Sequence, residues 1–90
     1  MTYRIERLLT VGNTVVLKVC GRIQAEHVSA IQELIGQEND RVALSLEEVT
    51  LVDRDVVTFL AGCELQGIEL RNCPAFLCEW IAAERLRRTE

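Results

Sequence analysis

Cysteine, histidine and lysine are among the side chains with which this chain could bind a metal or attack a substrate. The four cysteines are Cys20, Cys63, Cys73 and Cys78. The only histidine is His27 and the only lysine is Lys18. Zinc sites usually present close ligand pairs, and no Cys-x-x-Cys occurs here. Because the cysteines have apolar neighbours, we expect buried free thiols rather than a metal or redox centre.

Two acidic pairs, Glu47-Glu48 and Asp53 with Asp55, could serve acid–base chemistry. Such chemistry needs a cleft that shifts the pKa of one carboxyl group, and the surrounding pattern indicates none. The five glycines do not cluster into a phosphate-binding loop. His27 falls within a helical pattern and is expected to be exposed rather than part of a nucleophilic triad. The sequence therefore predicts a protein that is not an enzyme and uses no cofactor or metal.

Length and composition suit one small globular domain. The 90 residues are 49% hydrophobic and 27% charged, so we expect residues 1–90 to form a single domain. The net charge of −4 disfavours nucleic-acid binding, which usually needs a positive field. No apolar run approaches the roughly 20 residues of a membrane span, and the N-terminus lacks a secretory pattern. We expect a cytoplasmic protein without direct membrane insertion.

The first half of the chain predicts two strands and a helix. Residues 2–9 alternate apolar and charged side chains, and residues 14–20 form a continuous β-branched run that ends at Gly21. A hairpin turn at Gly12-Asn13 would pair them as antiparallel strands. Residues 25–37 change to the helical period, and Asn39-Asp40 would stop the helix. Lys18, inside the second strand, is expected to face solvent.

The second half predicts two further strands and two helices. Residues 41–46 alternate as a strand, which Glu47-Glu48 connects to a second apolar run. Asp53 is a short carboxylate that would cap a helix over residues 54–65. A short strand over 68–71 precedes the final helix, which begins near Pro74. The apolar face of that helix is predicted to comprise Phe76, Leu77, Trp80 and Ile81.

This order of elements, β-β-α-β-α-β-α, predicts an α/β fold. Strands that alternate with helices are joined by right-handed crossovers and lie parallel. Only the first two strands are close enough in sequence to form an antiparallel hairpin. We therefore expect a small, mixed, mostly parallel four-stranded sheet with helices packed on it.

Three segments resemble the STAS family (sulphate transporter and anti-sigma factor antagonist). Val19–Ile23 resembles the strand, glycine and apolar residue that begin the family motif. Residues 42–46 followed by 49–53 resemble its strand that runs to an aspartate, and 67–74 resembles its last strand and turn. Together they cover nearly the whole chain in order and spacing. The resemblance implies the same fold that the pattern of elements predicts.

The family signature is Asp-Ser-Ser-Gly at the start of the second helix, where this chain has Asp53-Arg54-Asp55-Val56. In antagonists of the family, the second serine is phosphorylated by a partner kinase that is itself the anti-sigma factor. Asp55 takes that position here, so no serine phosphorylation is expected there. Asp55 either suits the helix dipole, as first-turn acids do, or acts as a fixed partial mimic of phosphoserine.

The resemblance implies a non-enzymatic interaction module in bacterial signalling and transcription regulation. Its partner would be an anti-sigma serine kinase or a related regulator, exchanged by partner switching. The residues of the expected partner-binding surface are Asp53, Arg54, Asp55, Val56, Gly21 and Arg22. The alternative is a regulatory subunit of a membrane transporter or a lipid-transport ATPase assembly. The sequence leaves the partner and the oligomeric state open.

Overall fold

The order of strands and helices follows the sequence pattern. The computed structural model describes residues 3–9, 12–38 and 41–88. Its elements are β1 (Tyr3–Leu9), β2 (Thr14–Ile23), α1 (Ala25–Gly36), β3 (Arg41–Val52), α2 (Arg54–Leu65), β4 (Glu69–Arg71) and α3 (Ala75–Arg88). The predicted order β-β-α-β-α-β-α is confirmed. Residue 2 of the first predicted strand and the stop at Asn39-Asp40 lie outside the described residues.

The sheet has the strand order β1-β2-β3-β4. β1 and β2 pair as an antiparallel hairpin, whereas β2 with β3 and β3 with β4 pair in parallel. The predicted mixed, mostly parallel sheet is therefore confirmed. Its two parallel pairs require crossovers, and α1 and α2 supply them between successive strands.

One hydrophobic core joins the helices to one face of the sheet. Alternate residues of β2, among them Leu17, share this core with Leu44 and Leu46 of β3. The helices contribute Ile31 from α1, Val56, Val57 and Leu60 from α2, and Leu77 and Ile81 from α3. The period of two in the strands and the period of about 3.6 in the helices thus direct the apolar side chains to a single layer.

The opposite face of the sheet carries mostly small or polar residues, with Val16 and Leu8 among its larger apolar side chains. Ser45 is buried there, and in the strand register it lies between Lys18 of β2 and Arg71 of β4. The long stems of such side chains shield a small neighbour while their charges stay in water. The Lys18 ammonium also lies 3.6 Å from a carboxylate oxygen of Glu48. Lys18 thus points away from the core, as its position in the strand predicted, although its side chain is only 25% exposed.

The predicted ends of β2 and β3 are wrong. Both strands are longer than predicted, because irregular pairing lets them continue. β2 continues past Gly21 to Ile23, and Gly21 adopts a φ of +91°, which glycine tolerates without steric cost. β3 runs unbroken through Glu47 and Glu48, which the sequence indicated to be a connection. Register shifts between β2 and β3 absorb the extra residues, so that Val49 returns to the core.

The predicted apolar face of α3 is only half correct. Leu77 and Ile81 are buried, but Phe76 is 45% exposed and Trp80 is 37% exposed. α3 packs mainly against α2, so its buried stripe is narrow and continues to Glu84. The prediction assumed that α3 buries a wide apolar face, as a helix packed flat on a sheet would.

The four thiols differ in exposure. Cys20 and Cys63 are buried, Cys73 is half-buried and Cys78 is exposed, and all four are unpaired by disulfides. The expectation of buried thiols therefore fails for Cys78 and holds in part for Cys73. The reason is the same narrow contact of α3, because position 78 lies beside the buried stripe rather than within it.

Two leucines of α3 test this packing. Replacing the fully buried Leu77 by alanine is expected to lower the free energy of unfolding by about 2–5 kcal/mol, since it leaves a cavity. Leu86, which is 73% exposed on the same helix, is the matched control, and its alanine variant should stay within about 0.5 kcal/mol of the parent. Urea denaturation measures both. Equal losses would contradict the position of α3.

Candidate functional site

Asp53 caps helix α2. Its backbone is extended, with φ −101° and ψ 178°, and its Oδ1 accepts a hydrogen bond of 3.2 Å from the backbone N–H of Val56. A carboxylate in this position satisfies one of the unpaired N–H groups of the first turn and opposes the positive end of the helix dipole. The predicted N-cap and the predicted helix over 54–65 are both confirmed.

The second oxygen of Asp53 binds another helix. Asp53 Oδ2 accepts a hydrogen bond of 2.9 Å from the backbone N–H of Ala25, the first residue of α1. This contact is possible because β2 and β3 are parallel, and Ile23 pairs with Val52 at their ends. The two chains therefore leave the same edge of the sheet side by side. Sequence reasoning missed the contact, which joins residues 28 positions apart.

His27 helps to fix the start of α1. The backbone N–H of Gln24 donates a hydrogen bond of 3.0 Å to His27 Nδ1, and the His27 ring stacks on Tyr3 of β1 at a centroid distance of 3.8 Å. The side chain is only 12% exposed, so the predicted exposed histidine is wrong. The stacking partner comes from a distant strand, which helical periodicity does not reveal. His27 has a structural role at the entry to α1.

The predicted surface residues lie at different depths. Arg54 and Asp55, in the first turn of α2, are exposed. Val56 is 1% exposed and belongs to the hydrophobic core rather than to the surface. Arg22 is exposed and Gly21 is half-buried in β2.

A small depression brings two of the predicted surface residues together. Arg22 and Asp53 line a volume of about 80 Å³ where β2 and β3 end, together with Gln24 and Leu51. Leu51 is 52% exposed and was not among the predicted site residues. Leu51 and Val52 are both apolar, so the sequence pattern does not indicate which of the two is exposed. The irregular pairing of this part of β3 made the prediction harder still. Gly21 is not part of this depression.

A groove between α1 and α2 adjoins the same helix start. Its volume is about 520 Å³, and Asp55 lies in its lining. From α1 it is lined by Val28, Gln32, Ile35 and Gly36, from α2 by Asp55, Thr58, Phe59, Gly62 and Cys63, and beyond α2 by Gln66 and Ile68. The sequence analysis did not identify the groove. The sequence feature that could have indicated it is the apolar face of α1: only Ile31 is fully buried, and Val28 and Ile35 of the same face line the groove.

Thr58 and Glu84 connect α2 to α3. The Thr58 hydroxyl donates a hydrogen bond of 3.3 Å to Glu84 Oε2, and Glu84 is only 7% exposed. The guanidinium of Arg87 donates at 3.5 Å to the other oxygen of Glu84. A buried carboxylate needs such partners, because an unpaired charge is costly to desolvate. The hydroxyl nearest to the first turn of α2 therefore faces a negative charge.

Two properties of the described residues bear on the classes of function. Within 3–9, 12–38 and 41–88, there is no group of three or more His, Cys, Asp or Glu side chains that could hold a metal ion. In the same part of the chain, no helix is long and apolar enough to cross a membrane.

Comparison with known proteins identifies a similar fold. No protein-family profile matches the chain. No curated protein matches its sequence. Among solved structures, it is similar to the crystal structure of an antisigma-factor antagonist, a STAS domain from Rhodobacter sphaeroides. The TM-score is 0.58 at 19% identity, and the match covers 78% of this chain and 84% of that one. The chain thus has a STAS-like fold.

Asp53 variants separate its two hydrogen bonds. Asp53→Ala is expected to lower the free energy of unfolding by about 1–3 kcal/mol, because both the cap on α2 and the bond to α1 are lost. Asp53→Asn keeps one acceptor oxygen and should show an intermediate loss. Asp55→Ala, two residues further along in the first turn of α2, is the control and should lose less than about 1 kcal/mol. Denaturant melts measure the free energies of unfolding. An Asp53→Ala variant as stable as the control would contradict the two hydrogen bonds by which Asp53 joins α1 to α2.

Proposed function

We propose that this protein is a regulatory module that binds a protein partner in the manner of an anti-sigma factor antagonist. The single observation that supports this most is the STAS-like fold it shares with the Rhodobacter sphaeroides antagonist. The proposed partner is an anti-sigma serine kinase or a related regulator. We also propose that residues 1–90 act as one domain in the cytoplasm, without enzymatic activity or a cofactor.

The proposed binding surface is the end of β2 together with the start of α2. Arg22, Arg54 and Asp55 supply exposed charges of both signs, and Leu51 supplies an exposed apolar side chain beside them. Protein interfaces commonly combine apolar contact with a polar rim. Asp53 does not need to touch the partner, because both of its carboxylate oxygens already hold helix N–H groups. Its contribution would be to hold the surface rigid.

Asp55 gives this surface a permanent charge at the position that the family phosphorylates. A phosphoserine carries about −1.5 to −2 charges and three acceptor oxygens, whereas an aspartate carries one charge and two oxygens. Asp55 is exposed at the first turn of α2, and it also borders the groove between α1 and α2. A partner that recognises charge at this position would therefore always bind next to a negative group, which a kinase can neither add nor remove.

A serine kinase of the family's partner type is expected to leave the mass of this protein unchanged. The Thr58 hydroxyl faces the buried carboxylate of Glu84, which would repel an added phosphate. Thr50 is exposed, but it lies in β3 between Val49 and Leu51, both of which pair with β2, so its backbone is held in a strand. Incubation with such a kinase and ATP, followed by intact-mass measurement, tests this, with a serine-bearing STAS antagonist as the positive control. Gain of one phosphate on either threonine would overturn the prediction.

Asp55→Ser tests whether the partner reads the fixed charge. The partner is first isolated by affinity purification from the native cell and identified by mass spectrometry. If Asp55 acts as the mimic, the variant should change the Kd by more than about tenfold, beyond the roughly 0.3–1 kcal/mol that a lost dipole interaction explains. The change should shrink at high salt, because exposed charges are screened.

Glu79→Ser is the matched control for this measurement, since it removes one exposed carboxylate from α3, away from the proposed surface. Calorimetry at two salt concentrations gives the affinities, and denaturant melts give the stabilities. If Asp55→Ser and Glu79→Ser both bind as the parent does, Asp55 is only a residue that suits the start of a helix.

A further inference from the structure

Cys73 and Cys78 occupy paired positions at the start of α3. The carbonyl oxygen of Pro74 accepts hydrogen bonds from the backbone N–H groups of Leu77 at 3.0 Å and Cys78 at 2.8 Å. Pro74 is therefore the N-cap residue, immediately before Ala75, the first residue of α3; Cys73 precedes the cap, and Cys78 is the fourth residue of the helix. Side chains at these two positions pack against each other and fix the entry of the chain into the helix. Here both are thiols.

The two thiols share one small cavity. It has a volume of about 150 Å³ and is lined by Glu64, Leu70, Cys73, Cys78, Ile81, Ala82 and Arg85. Cys78 is exposed at the surface and Cys73 is half-buried beside it. Burial raises the pKa of Cys73 to about 11, with further contributions from the charge and hydrogen bond of Cys78 and from Glu64. The shared cavity and the positions on either side of the first turn of α3 place the two side chains next to each other.

We propose that Cys73 and Cys78 form a redox-modification site, a dithiol that closes to an intramolecular disulfide in reaction with a low-molecular-weight disulfide such as oxidised glutathione. Cys78 is accessible to the oxidant and Cys73 is already adjacent to it. Because the two thiols line one cavity in the reduced protein, we expect closure to require side-chain rotation rather than unfolding of α3. The inference does not depend on the proposed partner.

The reaction consists of two thiol–disulfide exchanges. The Cys78 thiolate attacks one sulfur of oxidised glutathione, whose S–S bond breaks, and one glutathione leaves as a thiolate that takes up a proton. Cys73, after losing its proton to solvent, attacks the Cys78 sulfur of this mixed disulfide and releases the second glutathione. Two electrons and two protons thus pass from the protein dithiol to oxidised glutathione, which becomes two molecules of glutathione. The mixed disulfide also removes the Cys78 thiol, one of the causes of the raised pKa of Cys73.

Cys20 and Cys63 provide an internal comparison. Both are buried, Cys20 in β2 and Cys63 in α2. Burial alone raises the pKa of Cys63 to about 11, and Cys63 does not line the cavity that Cys73 and Cys78 share. Thiolate character and exposure govern thiol oxidation, so these two residues should stay reduced while the protein is folded.

The test incubates the folded 90-residue chain with glutathione at increasing ratios of the oxidised form. Intact mass and the number of thiols that react after denaturation are measured, and peptide mapping locates any link. We expect loss of two hydrogen atoms, a fall from four reactive thiols to two, and a Cys73–Cys78 peptide. A thioredoxin-type dithiol in the same mixtures confirms that they are oxidising.

Single variants assign the two exchange steps. Cys73→Ser should stop at a gain of one glutathione on Cys78, and Cys78→Ser, a change at an exposed position, should form no internal link. Three results with the parent would overturn the proposal: four free thiols where the dithiol control is oxidised, a stable mixed disulfide on Cys78, or a Cys78–Cys78 link between two chains. Circular dichroism confirms that each variant is folded. If Cys73→Ser does not fold, Cys78→Ser and the parent still decide.

Discussion

The Asp53 carboxylate is the constraint on which the candidate site depends. One oxygen holds the N–H of Val56 in α2 and the other holds the N–H of Ala25 in α1. Parallel pairing of β2 with β3 makes this geometry available, because both strands end at one edge of the sheet. The carboxylate therefore sets the separation of two helix starts. The proposed surface and the adjoining groove both inherit their shape from that separation.

Much of the fold could be predicted from local sequence patterns. The predictions that were wrong all depend on contacts between parts of the chain that are distant in sequence. The bounds of α2 were predicted correctly because the cap, the apolar period and the break at Gly67 agree. His27 and Trp80 were misplaced because their exposure depends on contacts with distant residues: His27 stacks on Tyr3, and α3 packs mainly against α2. The ends of β2 and β3 were misplaced because the sequence does not reveal bulges in a long parallel pair.

The candidate site was predicted less completely than the fold. Asp53 was identified through its chemistry as a cap, but its second bond needed the sheet topology. Leu51 was missed, and Val56 proved to be core. The proposed partner surface and the Cys73–Cys78 pair lie towards opposite ends of α2, which spans about 18 Å over its 12 residues. A partner that covers the start of α2 can therefore leave the thiols open to small oxidants.

The shortness of β4 has a consequence for self-association. β4 pairs only with residues 43–45, so within the described residues β3 continues beyond its neighbour with backbone groups at an open edge. A flat, uncharged edge of this kind would accept a strand from another molecule and start aggregation. The irregular register near Glu47 and Glu48 disrupts the flat ladder, and both carboxylates are exposed there. The same two glutamates that interrupt the apolar pattern of the sequence thus oppose strand addition to an edge that the fold leaves uncovered.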